Sequence, residues 1–286
     1  MEIIDAHLHF CRDAYFDTIA RAAQHENSAE HLSEQYQVRG IAHGIVMGNL
    51  PLEQLRPPYP PFLSYCVGLG GHSGFDREAV RMQADLVEKH FQNPQCVGLK
   101  LYPGYHSFYI YDDFLQPFYE LAERYGKPVA VHTGLTASDD AHLKYSHPLV
   151  MDEAAVKFRG VQFVLCHFGE PWFADAAAVL EKNTNVAADL SGILEGKLPD
   201  FQAFLTKKRY YIERLKGWLE YLDCYDRFLF GTDWPLANLG DYIAFTKEIV
   251  PREHWAEVFY GNAVRIYHLA LDGANTAAGP AAGIRV

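Results

Sequence analysis

Residues 5–9 read Asp-Ala-His-Leu-His at the end of an apolar run. Alternate residues of a β-strand share a face. His7 and His9 are therefore expected to point the same way, one pleat apart, with Asp5 deeper on that face and Ala6 and Leu8 on the other. Two imidazoles at a strand's carboxyl end make half of a metal site. A lone histidine there would read as structural, whereas a pair at i and i+2 reads as metal-ligating. Three more candidate ligands stand at the ends of later apolar runs: His132 in PVAVHTG, His167 in FVLCHFG and Asp233 in FLFGTDWP. Asp233 could both hold a cation and take a proton from water. His167 could ligate, or sit just off the metal and move protons. Asp5 is expected to orient an imidazole through a hydrogen bond.

Around this set lie residues that could meet a substrate. Lys100, in VGLKLYPGY, shares a face with Gly98 and Tyr102. Its ammonium could bind a substrate carboxylate as a point charge or pair structurally with an acid. A third reading, in which it is carboxylated by carbon dioxide and bridges a second metal, is weaker. Tyr102, Tyr105, Phe108, Tyr109 and Tyr111 surround Pro103-Gly104, and Trp172 and Trp234 follow the sixth and eighth apolar runs. Half of these aromatics would be ordinary packing. The rest, with Tyr102, Tyr105, Trp172 and Trp234 foremost, would wall a pocket for a flat or cyclic ligand. The polar segment 135–148, with His142, Lys144, Tyr145 and His147, reads as a lid or wall. Counting by alternation from His167 turns Cys166 outward, and neither it nor Cys11 receives a role.

The elements that must position these groups can be read from pattern. Short runs rich in Val, Ile, Leu and Phe, bounded by Gly, Pro, Asn or Asp, mark strands at 2–9, 40–48, 63–69, 97–102, 128–132, 162–167, 186–190 and 228–233. Runs this apolar suit a parallel sheet buried on both faces. Amphipathic stretches at 113–125, 171–182, 205–222 and 241–250 read as helices, with Pro117 in a first turn and Gly126 past an end. Strands alternating with helices fit either a single (β/α)8 TIM barrel or an open doubly wound sheet. The ligands decide between them. Side chains from the first, fifth, sixth and eighth strands converge only if the sheet closes. A barrel also carries its site at the carboxyl ends of its strands. Alternation then sends Leu99, Leu101, Val129, Val131, Phe228 and Phe230 outward and the small Gly98, Ala130 and Gly231 inward. The barrel should occupy residues 1–271, leaving 272–286 as a small-residue tail on the surface or mobile.

Composition narrows the classes. The 286 residues are 49% hydrophobic and 21% charged, which suits a sizeable core and excludes a disordered chain. A formal charge of -11 with no basic cluster argues against a nucleic-acid surface. No apolar stretch is long enough for a membrane span. Five cysteines without CxxC spacing, and no signal-like segment before MEIIDAH, point to reduced thiols in a cytoplasmic protein. Barrels of this size often form dimers, so a homodimer is an expected assembly, although no interface is legible.

The segments IIDAHLHF, GLKLYPGY, PVAVHTG, FVLCHFG, FGTDWP and GNAVRIYHL, in this order from Ile3 to Leu269, resemble the amidohydrolase superfamily. Within it they are most similar to the amidohydrolase-2 branch, which includes the aminocarboxymuconate-semialdehyde decarboxylase relatives. The resemblance implies a divalent metal, usually zinc, held by His7, His9, His132 and Asp233. It implies that His167 is the catalytic or substrate-orienting histidine of strand six. In two-metal members of the superfamily the strand-four lysine is carboxylated and bridges, and the strand-six histidine binds the second ion, so Lys100 and His167 join the ligands if two ions bind. One ion, Zn2+ with Mn2+ as the substitute, is the expectation here. The leading activity is metal-dependent hydrolysis of an amide, ester or lactone of a small carboxylated compound. The alternative is non-oxidative decarboxylation of an aromatic or unsaturated acid, and the third reading is a non-catalytic metal-containing barrel.

Overall fold

The computed structural model describes residues 1–11, 13–52, 57–69 and 77–271. Eight parallel strands form one sheet in sequence order: β1 (Ile3–Leu8), β2 (Ile41–Met47), β3 (Leu63–Gly68), β4 (Cys96–Leu101), β5 (Val129–Val131), β6 (Phe163–Leu165), β7 (Val186–Asp189) and β8 (Phe228–Leu229). Every residue of β1 and β3 to β8 is buried, as expected of strands covered on both sides. The sheet closes where β8 meets β1. The Ala6 N–H donates to the Phe230 carbonyl at 2.9 Å, the His9 N–H donates to the Trp234 carbonyl at 2.7 Å, and Leu8 bridges Trp234. The molecule is a single (β/α)8 barrel.

Side-chain size sorts the two faces of the sheet. Ile4, Ala6, Ile45, Cys66, Ala130, Val164, Ala187 and Leu229 fill the interior, with Ile266 and Tyr267 of the last helical segment packed among them. Leu99, Leu101, Val129, Val131, Phe228 and Phe230 belong to the larger outer core between strands and helices. For the six outer residues and for Ala130 this is the division that alternation predicts; Ala6, expected on the face opposite His7, lies inside instead. Burying such a side chain contributes roughly 1.5–3 kcal/mol, so a one-residue slip on any strand would be costly.

Helices form where the caps and stops fall. Asp13 accepts the Phe16 N–H to begin Ala14–Ala22, and Ser28 accepts the His31 N–H to begin Ala29–Arg39, which stops at Gly40 with φ 71°. These two helices join β1 to β2 and were not among the sequence-read patterns. The helix expected at 113–125 is a 3-10 turn, Asp113–Leu115, followed by Gln116–Tyr125 and stopped by Gly126. The stretch 205–222 lies in two helices, Phe201–Lys207 and Arg209–Leu222, broken at Lys208. The expected helices at 171–182 and 241–250 are Phe173–Lys182 and Leu239–Ile249. The tail 272–286 lies outside the described residues.

Two departures from alternation matter for the site. The pairing of β1 with β2 steps from Asp5↔Gly44 to Leu8↔Val46, three residues against two. This bulge lets Ala6 and His7 both face inward and turns Asp5 to the outer side. In the sixth strand, regular structure ends at Leu165. Cys166 continues the inward series of Val164 and joins the interior cluster, correcting its expected outward direction. His167 and Phe168 then adopt left-handed backbone, φ 63° and 44°, and this turn, rather than strand parity, carries the His167 ring to the site.

Candidate metal centre

The hydrogen bonds around each imidazole fix where its proton lies. His7 Nδ1 is 2.8 Å from Asp189 Oδ2, a carboxylate that can only accept. His9 Nδ1 is 3.2 Å from the Met47 carbonyl. His167 Nδ1 is 3.2 Å from the Ser191 carbonyl and 2.9 Å from Ser191 Oγ. Each Nδ1 therefore carries the hydrogen, and each Nε2 presents a bare lone pair. Those lone pairs converge. His7, His167 and Asp233 each offer a ligand atom within 4.8 Å of the others. Asp233 Oδ1 lies 3.1 Å from His9 Nε2 and 3.5 Å from His7 Nε2. His132 joins through Nδ1, 3.2 Å from His167 Nε2. Two ring nitrogens at that separation either share one proton or face one cation.

Burial and charge keep the set in its ligating form. Burial pushes the His7 imidazolium down to about 4 against the pull of Asp189. It also lowers His132, helped by His167 and Lys100, and lowers His167. Burial alone would raise the Asp233 carboxyl, but His7 and His9 hold it far below the usual carboxylate range. At neutral pH His7, His132 and His167 are thus neutral imidazoles near an ionised carboxylate. His7 Nε2, His132 Nε2 and Asp233 Oδ1 are buried without a hydrogen-bond partner. Of these, His7 Nε2 and Asp233 Oδ1 face each other at 3.5 Å, and two buried acceptors so close are unfavourable unless something positive lies between them. A divalent cation fits this donor set.

The cavity above the centre has a volume of about 410 Å³. His7, His9, His132, His167, Asp233 and Lys100 line it, with Tyr15, Phe16, Tyr102 and Tyr105 as aromatic walls and Asn49 and Ser138 among its polar contacts. The Tyr102 hydroxyl donates to the Met47 carbonyl at 3.2 Å, so the same oxygen anchors Tyr102 and His9. Tyr105 packs edge-on to His132 at 4.9 Å, and its hydroxyl accepts the Ala137 N–H at 2.8 Å. Burial raises the Tyr105 phenol, so it stays a donor with its proton still to give. Lys100 is fully buried, donates to Cys166 Sγ at 2.9 Å and sits 5.1 Å from the Tyr102 ring. Among the described residues no carboxylate lies in ion-pair range of it.

Other expected residues lie elsewhere. Trp234 is fully buried behind Asp233, 4.4 Å from the His25 ring, and Trp172 packs on His147 at 4.8 Å; neither lines the cavity. Tyr109 and Tyr111 stack on each other at 5.0 Å outside it. Of segment 135–148, Ala137 and Ser138 reach the cavity, whereas His142, Lys144, Tyr145 and His147 do not. Asp5 does not orient an imidazole ring. Its carboxylate binds Thr232 and Tyr36 on the outer side, and burial raises it to about 7. The residue that orients His7 is Asp189, which also accepts from the His167 N–H at 3.0 Å and from Ser191. Sequence reasoning missed it, yet it shares the inward face of β7 with Ala187 and stands at a strand end like the other candidates.

A family model described as Amidohydrolase, the second of that name, matches residues 4–269. No curated protein matches. Among solved structures, the chain is similar to an uncharacterised TIM-barrel protein from Bordetella bronchiseptica, at 21% identity and TM-score 0.66, over 94% of this chain and 99% of that one. It is similar to a candidate 2-pyrone-4,6-dicarboxylic acid hydrolase from Pseudomonas putida, at 14% identity and TM-score 0.60, over 95% and 99%. It is also similar to a dihydroxybenzoic acid decarboxylase from Polaromonas with bound manganese and the inhibitor 2-nitroresorcinol, at 14% identity and TM-score 0.62, over 93% and 97%. At these identities the structural likenesses speak for the fold, and the family match speaks for descent: the chain belongs to the amidohydrolase-2 family, whose metal dependence agrees with the convergent acceptors of its barrel mouth.

Proposed function

We propose that the chain is a metal-dependent hydrolase of an amide, ester or lactone in a small carboxylated compound. In this reading His7, His9, His132 and Asp233 hold one divalent cation, zinc or manganese, and His167 stands beside it. The observation that carries it is the convergence of bare Nε2 lone pairs on an ionised carboxylate inside a cavity of substrate size. A cation held there supplies Lewis acidity, polarising a carbonyl oxygen and lowering the pKa of water from about 16 toward about 7. Asp233 takes the proton of the attacking water and later returns it to the leaving group. The Tyr105 hydroxyl donates to the carbonyl oxygen, and the His167 ring, an acceptor at Nε2, assists the transfer of the water proton. Lys100 grips the acid group of the substrate, since a buried ammonium without a carboxylate partner is costly until an anion arrives. Tyr102 and Tyr105 wall a flat ligand.

Decarboxylation is the second reading, favoured by those aromatic walls and by the decarboxylases of the same fold. It needs a proton delivered to carbon, whereas the imidazoles present unprotonated Nε2 atoms, and this favours hydrolysis. Elemental analysis of protein purified without a metal-binding tag tests the metal: about one equivalent is expected, and none after reloading overturns the proposal. Incubation with panels of lactones, esters and aromatic acids separates the reactions by product, a new carboxylate in one case and carbon dioxide in the other.

A further inference from the structure

We infer that Asp5 is a positioning residue: through Thr232 it holds the turn that presents Asp233 to the centre. The inference rests on the reading of Asp233 as a metal ligand. Asp233 has φ 57°, in the left-handed region that a residue with a Cβ avoids. Such a conformation persists only where its surroundings over-determine it. Here one carboxylate sets both flanking residues. Asp5 Oδ1 accepts the Thr232 N–H at 2.9 Å, and Oδ2 accepts the Thr232 hydroxyl at 2.6 Å. Having given its proton to Asp5, Thr232 Oγ1 has only lone pairs left, and it accepts the Trp234 N–H at 3.1 Å. Asp233 itself donates its N–H to the His7 carbonyl at 2.8 Å. The residue before Asp233 and the residue after it are thereby referred to one fixed oxygen pair. The bulge in β1 is what frees Asp5 for this, because it turns the carboxylate outward while His7 stays inward.

Asp5 Oδ1 also accepts the His7 N–H at 3.4 Å, and a purely structural role for Asp5 would run through its other side-chain partner. Tyr36, on the helix Ala29–Arg39, donates to Asp5 Oδ2 at 3.1 Å and ties the barrel to that helix. Gly44 makes room, since a Cβ there would meet the Tyr36 hydroxyl at 2.7 Å. The two roles separate by substitution. Thr232→Val removes the hydroxyl at constant shape, Asp5→Asn removes one acceptor, and Tyr36→Phe removes the tie to the helix alone.

The test uses the full chain loaded with cobalt(II), read by its visible absorption and by chelator competition. Hydrogen exchange of segment 229–236 is measured without metal. Thr232→Val and Asp5→Asn are expected to bind cobalt at least tenfold more weakly, with an altered absorption band and faster exchange. Thr232→Ser should restore the native values. Tyr36→Phe should lower the melting temperature yet leave affinity within twofold and the band unchanged. Native band, affinity and exchange in Thr232→Val would overturn the inference even if Asp5→Asn fails to fold. If the wild-type chain binds no cobalt, the metal reading fails instead, and the exchange rates alone decide whether the clamp holds the turn.

Discussion

Replacing Asp189 with asparagine preserves its size and removes one of its two acceptor oxygens. In the native chain Oδ2 takes the His7 Nδ1–H, while Oδ1 takes the N–H groups of His167 and Ser191 and the Ser191 hydroxyl. An asparagine oxygen turned toward those three donors keeps three hydrogen bonds; turned toward His7 it keeps one. At about 0.5–1.5 kcal/mol each, the first orientation wins by roughly 1–3 kcal/mol. It points the amide NH2 at His7 Nδ1, which must then accept. The imidazole proton moves to Nε2, and the lone pair facing the centre is lost. Removing the partner that orients a metal-bound histidine costs about 10–100-fold in metal affinity. The tautomer conflict places the expectation at the upper end, about 100-fold or roughly 2.7 kcal/mol. Fold stability should move less, because three of four hydrogen bonds survive. Chelator competition for zinc, beside thermal denaturation of the metal-free protein, separates the two quantities. A folded Asp189→Asn variant that binds zinc within threefold of wild type would refute the reasoning.

Three further outcomes are expected. Lys100→Met removes a buried ammonium that has no carboxylate within ion-pair range among the described residues, so stability should hold or rise by about 1–4 kcal/mol while affinity for small monocarboxylates drops at least tenfold; calorimetry of both would expose a purely structural lysine by the opposite pair of results. Gly192→Ala adds a Cβ 2.5 Å from His167 Nδ1 at a residue with φ 68°, and it should cost about 1–2 kcal/mol of backbone strain and displace the His167 ring, seen as a shifted imidazole resonance by NMR. Burial and the nearby His31 and Arg39 hold His25 at about 3, and burial holds His43 at about 4, both below the unfolded value of 6.5. The unfolded chain therefore binds more protons as pH falls, so each contributes stability that is intact above 6.5 and lost between 6.5 and its folded value, at up to about 1.4 kcal/mol per pH unit. Urea denaturation of metal-free protein at pH 7, 6 and 5 should show this slope, shallower in His25→Gln.

Much of this architecture is legible because its strands are short, apolar and bounded by turn residues, and all eight fall where those runs lie. The cluster is legible for a related reason: His7, His9, His132, His167 and Asp233 are ligand types at strand ends, and closure brings strand ends together. Counting by twos fails where a strand stops being regular. The extra residue in β1 reverses Asp5, and the end of β6 at Leu165 reverses Cys166. Nothing in a residue's type announces a bulge or a left-handed turn, since both are settled by hydrogen bonding between distant segments. The Met47 carbonyl that orients His9 is invisible for a simpler reason, because every residue has a carbonyl. Asp189 could have been found by the test applied to Asp233: an acid ending an apolar run, with small residues on its inward face.

The seam between β1 and β8 has a temporal consequence. His9 and Asp233 are 224 residues apart in the chain, yet backbone bonds join their neighbourhoods directly. A ribosome adding about 5–20 residues per second delivers the carboxylate roughly 10–45 seconds after the histidine pair. Through that interval β1 offers an unpaired edge, and the imidazoles have no anion to complete their set. With the ligand set proposed above, metal capture by a growing chain would report that the last strand has docked on the first, and ion uptake during synthesis would be a clock for ring closure.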